Sequence, residues 1–252
     1  MTALPEIPRV NGIFVTGTDT GVGKTVIAAG LTAALRDSGV RAAYFKPIQS
    51  GAAETEGVLI PDDARLAQML AGLEEPLSVL TPIVLQLPLA PAVAAAQVGV
   101  SIDLECIAQA YRDLASRYDY LVVEGAGGLY VPLIDHEFLV LDLALWLGLP
   151  LVIVARPGLG TINHTTLTVK AAIQAGLEVA GIIINQYPEQ PGVAERTNPG
   201  IIAALTNRPI LGKVPEIRDL ETPKERKRLK EALLALISQS DWLQPWKTPK
   251  PV

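Results

Sequence analysis

A single cysteine, Cys106, among 252 residues rules out an intramolecular disulfide and any metal site built from several thiolates. Its place in the apolar-periodic run from Ile102 to Leu114 marks it as a structural residue on a helix face. Positive charge is also in short supply. The 21 Lys and Arg against 26 Asp and Glu leave a net charge of −5. That is the wrong sign for sequence-independent binding to nucleic acid or an anionic membrane, so neither partner is expected. No apolar run reaches the roughly 20 residues that a membrane-spanning helix needs. The proline-bearing stretch from Met1 to Val10 has no apolar core of signal-peptide length, and the expected location is the cytoplasm. Only two histidines are present. His136, between Asp135 and Glu137, reads as a solvated loop residue, and His164, beside Asn163 at a helix start, as a capping or packing residue.

Apolar residues are plentiful, at 49% of the chain. That content over this length suits one large core, and the expectation is a single domain over residues 1–252 with loosely held tails at 1–11 and 241–252. The stretch that organises the rest is Gly17-Thr18-Asp19-Thr20-Gly21-Val22-Gly23-Lys24-Thr25. It follows the apolar run Ile13-Phe14-Val15 and opens a helix-like run from Val26 to Leu35. A strand, a phosphate-binding loop and a helix account for it. Glycines let backbone N–H groups point inward, the helix N-terminus favours anions, Lys24 carries charge for the β/γ-phosphates, and the Thr25 hydroxyl is placed for Mg²⁺. The usual G-x-x-x-x-G-K-[ST] spacing would put the first glycine at Thr18, so Gly17 comes one residue early. Mg-ATP or Mg-GTP is the ligand this loop predicts.

Along the chain, helices are predicted at Lys24 to Ser38, Asp62 to Leu70, Leu139 to Leu147, Asn163 to Ala175 and Pro223 to Ile237. A further one, capped by Ser101, runs to Arg117. Strands are predicted at Ala42 to Phe45, Tyr120 to Val123, Leu151 to Val154, Val179 to Ile184 and Pro209 to Val214. Residues 48–61 read as a polar, Gly-rich loop over the site, and 76–100 as irregular with one strand at Ile83 to Leu85. The basic side chains of the last helix (Lys224, Arg226, Lys227, Arg228, Lys230) read as a solvated face. Strands apolar on both faces and alternating with helices mean a P-loop NTPase-like α/β fold. Its mostly parallel sheet is covered by helices on both faces, and ligands bind beyond the strands' carboxyl ends.

Lys46, Ser50, Asp62, Asp63, Glu124 and Asn185 all follow such ends. Phosphoryl transfer with Mg²⁺ needs oxygen ligands, which Thr25, Glu124 and one of Asp62 or Asp63 supply. Glu124 ends a strand made of Leu121, Val122 and Val123, where a carboxylate without a cation or partner would cost several kcal/mol to desolvate.

Four motifs now carry a resemblance. The loop Gly17 to Thr25, Lys46-Pro47-Ile48-Gln49-Ser50-Gly51, Val123-Glu124-Gly125-Ala126-Gly127-Gly128 and Gly160-Thr161-Ile162-Asn163-His164 stand in the order and spacing of ATP-dependent dethiobiotin synthetases. The chain resembles that family from about Ile13 to Ile217. The resemblance implies conversion of 7,8-diaminononanoate, CO₂ (or bicarbonate) and ATP into dethiobiotin, ADP and phosphate, by way of a carbamate and a carbamic-phosphoric anhydride. It implies that Thr20, Lys24 and Lys46 act in the chemistry, that Ser50 contacts the substrate, and that Thr25, Asp63 and Glu124 bind Mg²⁺. ATP would further be held by Gly21, Val22, Gly23, Val26, Gly125, Ala126, Gly127 and Gln186, with the adenine at Asn185, Pro215, Glu216 and Ile217. It also implies a homodimer in which backbone N–H groups at Gly160, Thr161, Ile162 and Asn163 hold the substrate carboxylate of the other subunit. That role needs a helix N-terminus rather than a particular side chain.

Two positions depart from the family. Ala90-Pro91-Ala92 stands where many relatives have Ser-Pro-His, and Gly21 where some have an acid. Two rivals fit the fold less well. A partitioning-type ATPase would have a lysine at the position of Asp19. A corrinoid-amidating enzyme would need an additional glutaminase domain with a cysteine nucleophile.

Overall fold

The structure is a computed structural model, and it describes residues 3–238. The expected tail at 241–252 lies outside the described residues, as do Met1 and Thr2. Residues 3–10 have no regular secondary structure. Even so, the Pro5 carbonyl accepts from Trp146 Nε1 at 3.0 Å and the Glu6 carbonyl from Arg112 at 2.7 Å.

The first half of the chain holds β1 (Asn11–Gly17), α1 (Lys24–Asp37), β2 (Ala42–Phe45), β3 (Ile48–Ser50), β4 (Ala53–Thr55), β5 (Val58–Ile60), α2 (Asp62–Ala71), α3 (Leu77–Leu80), β6 (Ile83–Leu85), α4 (Pro91–Gln97), α5 (Leu104–Arg117) and β7 (Tyr120–Glu124). The second half holds β8 (Pro132–Ile134), β9 (Phe138–Leu139), α6 (Val140–Leu147), β10 (Leu151–Ala155), α7 (Thr161–Gln174), β11 (Val179–Tyr187), α8 (Val193–Thr206), β12 (Ile210–Pro215) and α9 (Pro223–Ser238).

Six strands form one parallel sheet in the order β12-β11-β10-β1-β7-β2. β1 lies inside it, with Ile13, Phe14 and Val15 fully buried. Each such side chain contributes about 1.5–3 kcal/mol when removed from water. Because all six run the same way, the chain leaves every strand at one edge of the sheet. The phosphate loop, Lys46, Glu124 and Asn185 come together there.

Several expectations are corrected. Residues 48–61 are not a plain loop: β3 pairs in parallel with β6, and β4 and β5 form a small antiparallel hairpin. Residues 76–100 contain α3 and α4 besides the expected strand, both too short for a helical period to stand out in so apolar a stretch. Asp103, not Ser101, caps α5, its carboxylate accepting from Glu105 N at 2.9 Å. Cys106 lies on the exposed side of α5 rather than against the core.

α8 was not expected, since Pro199 inside it lacks the N–H that would bond the carbonyl of Glu195. The Tyr187 hydroxyl takes that carbonyl instead, at 3.0 Å, so the helix continues without an orphaned acceptor. The basic face of α9 is partly paired, Lys230 with Asp37 at 2.7 Å and Arg228 with Glu189 at 2.9 Å. Among the described residues no helix is long and apolar enough to cross a membrane.

Candidate active site

The carboxyl ends of β1, β2 and β7 open into a cleft of about 690 Å³. Its lining includes Thr20, Gly21, Gly23, Lys24, Thr25 and Val26 from the loop and α1, together with Lys46, Ser50, Asp63, Glu124, Ala126 and Gly127. Residues from four separate stretches of sequence therefore share one space. The cleft also has an apolar wall made by Leu66, Pro88, Leu89, Ala90 and Pro91, the last two from the stretch that departs from the family's Ser-Pro-His.

At its floor Glu124, 1% exposed, gathers three donors. Its Oε1 accepts from Thr25 Oγ1 at 2.8 Å and from Lys46 Nζ at 2.8 Å, and its Oε2 accepts from the Tyr44 hydroxyl at 2.6 Å. Lys46 Nζ also donates to Asp63 Oδ2. Burial pulls the Lys46 ammonium down, but Glu124 and Asp63 outweigh it and hold it above its ordinary value. Its two carboxylate partners thus favour the charged form of Lys46. Burial, and then the charge of Glu124, push the Tyr44 phenol far above its usual range, so it stays a neutral donor.

Tyr44 was missed in the sequence, although it sits on β2 two residues before Lys46, and an extended chain continuing past the strand's end puts both side chains on the same face. Gln49 was missed too. Its Oε1 accepts from Asp63 N at 3.3 Å and so caps α2, whose N-cap residue is Pro61. The two aspartates differ in placement. Asp63 faces the cleft, while Asp62 points to solvent and pairs with Arg65 at 2.8 Å.

Lys24 is buried and donates to the Asp19 carbonyl at 3.0 Å. Desolvation lowers its pKa, with Lys46 adding to the effect and Glu124 opposing it. The Asp19 carboxylate accepts from Thr20 N at 2.7 Å and from Arg156 at the end of β10. The Thr20 N–H, and after it Arg156, hold its carboxyl below the usual range even though desolvation opposes them.

The remaining expected residues stand outside the cleft. Val22 is buried beneath the loop, and Gly125 packs on the Phe14 ring. Asn185 and Gln186 lie behind the loop, donating to the carbonyls of Val22 at 2.9 Å and Gly21 at 3.2 Å. Pro215 ends β12, and Glu216 and Ile217 follow it, Glu216 N donating to the Tyr187 carbonyl at 3.1 Å. Gly160, Thr161, Ile162 and Asn163 form the start of α7, and the Thr161 side chain turns inward to Thr165 at 3.3 Å. His164 and His136 are exposed.

Gly23 adopts φ 89° as the N-cap of α1, and a Cβ there would lie 2.0 Å from Asn185 Nδ2. Gly23→Ala should therefore cost about 1–3 kcal/mol through strain and displacement of Asn185. Thermal unfolding and ATP titration should show loss of both stability and affinity. An alanine variant that keeps both would mean that the loop is softer than this packing requires.

Two carboxylates, Asp63 and Glu124, already converge on one positive charge, Lys46 Nζ, and the Thr25 hydroxyl meets the same Glu124 oxygen. Hard oxygen donors of this kind suit Mg²⁺, which usually takes one or two carboxylates and completes its shell with phosphate oxygens and water. The residues present fit the ion.

An "AAA domain" family model matches residues 11–224. The chain is 41% identical over 222 residues to the ATP-dependent dethiobiotin synthetase BioD of Clostridium novyi, covering 87% of this chain and 93% of that protein. It is 46% identical over 206 residues to the enzyme of the same name from Anaeromyxobacter dehalogenans, covering 82% and 90%. Among solved structures it is similar to the septum site-determining protein MinD of Pyrococcus horikoshii, complexed with Mg-ADP. The TM-score is 0.57 at 16% identity, covering 96% of this chain and all of that one. A ParA family ATPase of Chlorobium tepidum gives a TM-score of 0.51 at 18% identity, covering 96% and 99%. At that distance the structural matches establish the P-loop fold, while the sequence relatives match 87% and 82% of the chain. The chain belongs to the ATP-dependent dethiobiotin synthetase family.

Proposed function

We propose that this chain carries out the ATP-dependent carboxylation and ring closure of 7,8-diaminononanoate with CO₂, giving dethiobiotin, ADP and phosphate in biotin biosynthesis. The observation that carries the reading is the burial of two lysines, Lys24 and Lys46, in the same cleft as the Thr25 hydroxyl and two carboxylates. An amine must be neutral to attack CO₂, and the carbamate it forms must hold a negative charge. Two ammonium groups disfavour protonation of a nearby amine and stabilise the carbamate. Lys46 suits this because its own charge is pinned.

In the next step a carbamate oxygen attacks the γ-phosphorus and ADP leaves. The second amine then attacks the carbonyl of the mixed anhydride, phosphate departs and the cyclic urea closes. Lys24 and the loop N–H groups position and neutralise the phosphates, and Thr20 and Ser50 contact the diamine or carbamate. Thr25, Asp63 and Glu124 would hold Mg²⁺, which when bound supplies charge neutralisation at the phosphates. The apolar wall at Leu66, Pro88, Leu89 and Pro91 gives a methylene chain a dry surface.

Gly160 to Asn163 do not line the cleft of their own chain. This supports a homodimer in which the α7 N-terminus holds the carboxylate of substrate bound to the other subunit. Exposed Leu159 and Leu167 beside that terminus support the same reading. The adenine is assigned to the ends of β11 and β12, at Asn185 and Pro215 to Ile217.

Lys24 sets a pH dependence. Phosphate favours its ammonium, so its pKa is higher in the complex than in the free protein, where it already lies below 10.5. ATP affinity should be full below the free-state value and weaken as pH rises through it, with binding there taking up a proton. Calorimetry in two buffers of different ionisation heat measures that uptake. Buffer-independent heats throughout the alkaline range would contradict it.

The activity itself is tested by supplying Mg-ATP, ¹³C-bicarbonate and 7,8-diaminononanoate. The ¹³C label should appear in an acid-stable ureido carbonyl only when ATP is present. Label that never reaches a urea would overturn the proposal.

A further inference from the structure

We infer that Gln186 is a positioning residue, whose amide sets the phosphate loop for the triphosphate and does not read the base, while Asn185 braces the neighbouring loop carbonyl. The inference rests on the nucleotide reading above and refines it. In a regular strand successive side chains point to opposite faces. Asn185 and Gln186 do not, because the register of β11 against β12 shifts between Ile184 and Tyr187, the bulge falling on these two residues. Both amides consequently reach consecutive loop carbonyls, Asn185 Nδ2 that of Val22 and Gln186 Nε2 that of Gly21.

The backbone at Gln186 marks the same device. Among the described residues four non-glycines have positive φ, and three of them sit in hairpin turns or at a helix end: Glu56, Asp135 and Asn207. Gln186, at φ 55°, is the one inside a strand. Such a conformation persists when the surroundings over-determine it, and here the bond to Gly21 is what the unusual turn achieves.

The consequence for the loop follows from the peptide plane. No cis peptide occurs among the described residues, so each C=O points opposite to the N–H of the same peptide unit. Fixing the Gly21 and Val22 carbonyls toward the end of β11 turns the Val22 and Gly23 N–H groups away from it. Neither N–H is used in a hydrogen bond among the described residues. Gly21 and Gly23, at φ 77° and 89°, flank this unit in the left-handed region and let successive N–H groups curve around an anion. The side-chain amides thus hold the donors ready before any phosphate arrives.

A base reader and a loop clamp differ in how they treat a ligand without a base. Binding of ATP, inosine triphosphate and inorganic tripolyphosphate should be measured on wild-type protein, Gln186→Ala and Gln186→Glu. The alanine variant should weaken all three by one common factor, about three- to tenfold, as expected for loss of a single neutral hydrogen bond. The glutamate variant should lose more, because a carboxylate cannot donate to the Gly21 carbonyl. The ATP to inosine triphosphate ratio should stay fixed. The thermal midpoint of the ligand-free variants should move by no more than about 2 °C, since Gln186 is exposed. Loss of ATP affinity with unchanged tripolyphosphate binding would overturn the clamp and make Gln186 a base reader, and unchanged binding of all three would also overturn it. Wild-type protein that binds none of the three would remove the nucleotide reading and the clamp with it.

Discussion

Lys46→Gln should slow ring closure by about 10²- to 10³-fold, the usual cost of removing one preorganised charge from a developing anion. ATP binding should stay within a few-fold, because Lys24 and the loop, not Lys46, meet the phosphates in this reading. Lys46 Nζ pairs with both Asp63 and Glu124 and is 6% exposed. Glutamine would leave two carboxylates facing each other without a cation. Breaking a buried pair in this way costs about 3–5 kcal/mol, so the ligand-free variant should also melt earlier. Mg²⁺ should restore much of that loss, since it offers the same carboxylates another cation. Activity within a few-fold of wild type would show that Lys46 is not the partner of the carbamate. A midpoint that ignores Mg²⁺ would separate the lysine from the metal site.

Glu124→Gln should raise the Mg²⁺ requirement by at least about tenfold, the equivalent of one hydrogen bond to a charged group. Glutamine keeps the shape, but its amide nitrogen can only donate, and Thr25, Lys46 and Tyr44 are all donors to this side chain. At least one buried donor must therefore lose its acceptor. The double variant Lys46→Gln with Glu124→Gln should be less damaged in stability than the two losses added together, because each change removes the group that the other left unpaired. An unchanged metal titration in Glu124→Gln would take Glu124 out of the metal shell.

The parts of this molecule that were legible in the sequence are those with a strong local period. β1, β2, β7, β10 and β11 announced themselves as apolar runs because a parallel sheet covered on both faces needs no alternation, and the expected bounds of β2 match the observed ones. The loop from Gly17 to Thr25 was legible for another reason: few other tasks need glycines, a lysine and a threonine between a strand and a helix.

What the sequence hid depends on long-range partners. α8 contains Pro199 and survives because Tyr187, twelve residues earlier, takes the carbonyl that the proline releases. The three-residue strand β3 exists only through its pairing with β6, which was expected, and is itself too short to show a period. Asp62 and Asp63 are chemically alike, and only the rotation of α2, fixed by burial of Ala64 and Ala67, decides which faces Lys46. Cys106 looked internal because its run is apolar-periodic, yet it falls on the outer face of α5. Asn185 and Gln186 were placed at the nucleotide by the family resemblance, but the bulge that turns both amides onto the loop was not visible.

The central claim is that one cleft couples ATP cleavage to closure of a urea ring, with the same lysines serving carbamate and phosphate. Following phosphate and cyclic urea together, with and without 7,8-diaminononanoate, in Mg-ATP and bicarbonate tests it most directly. The account predicts equal amounts of phosphate and ring, and almost no phosphate without the diamine. Phosphate release that ignores the diamine would contradict it.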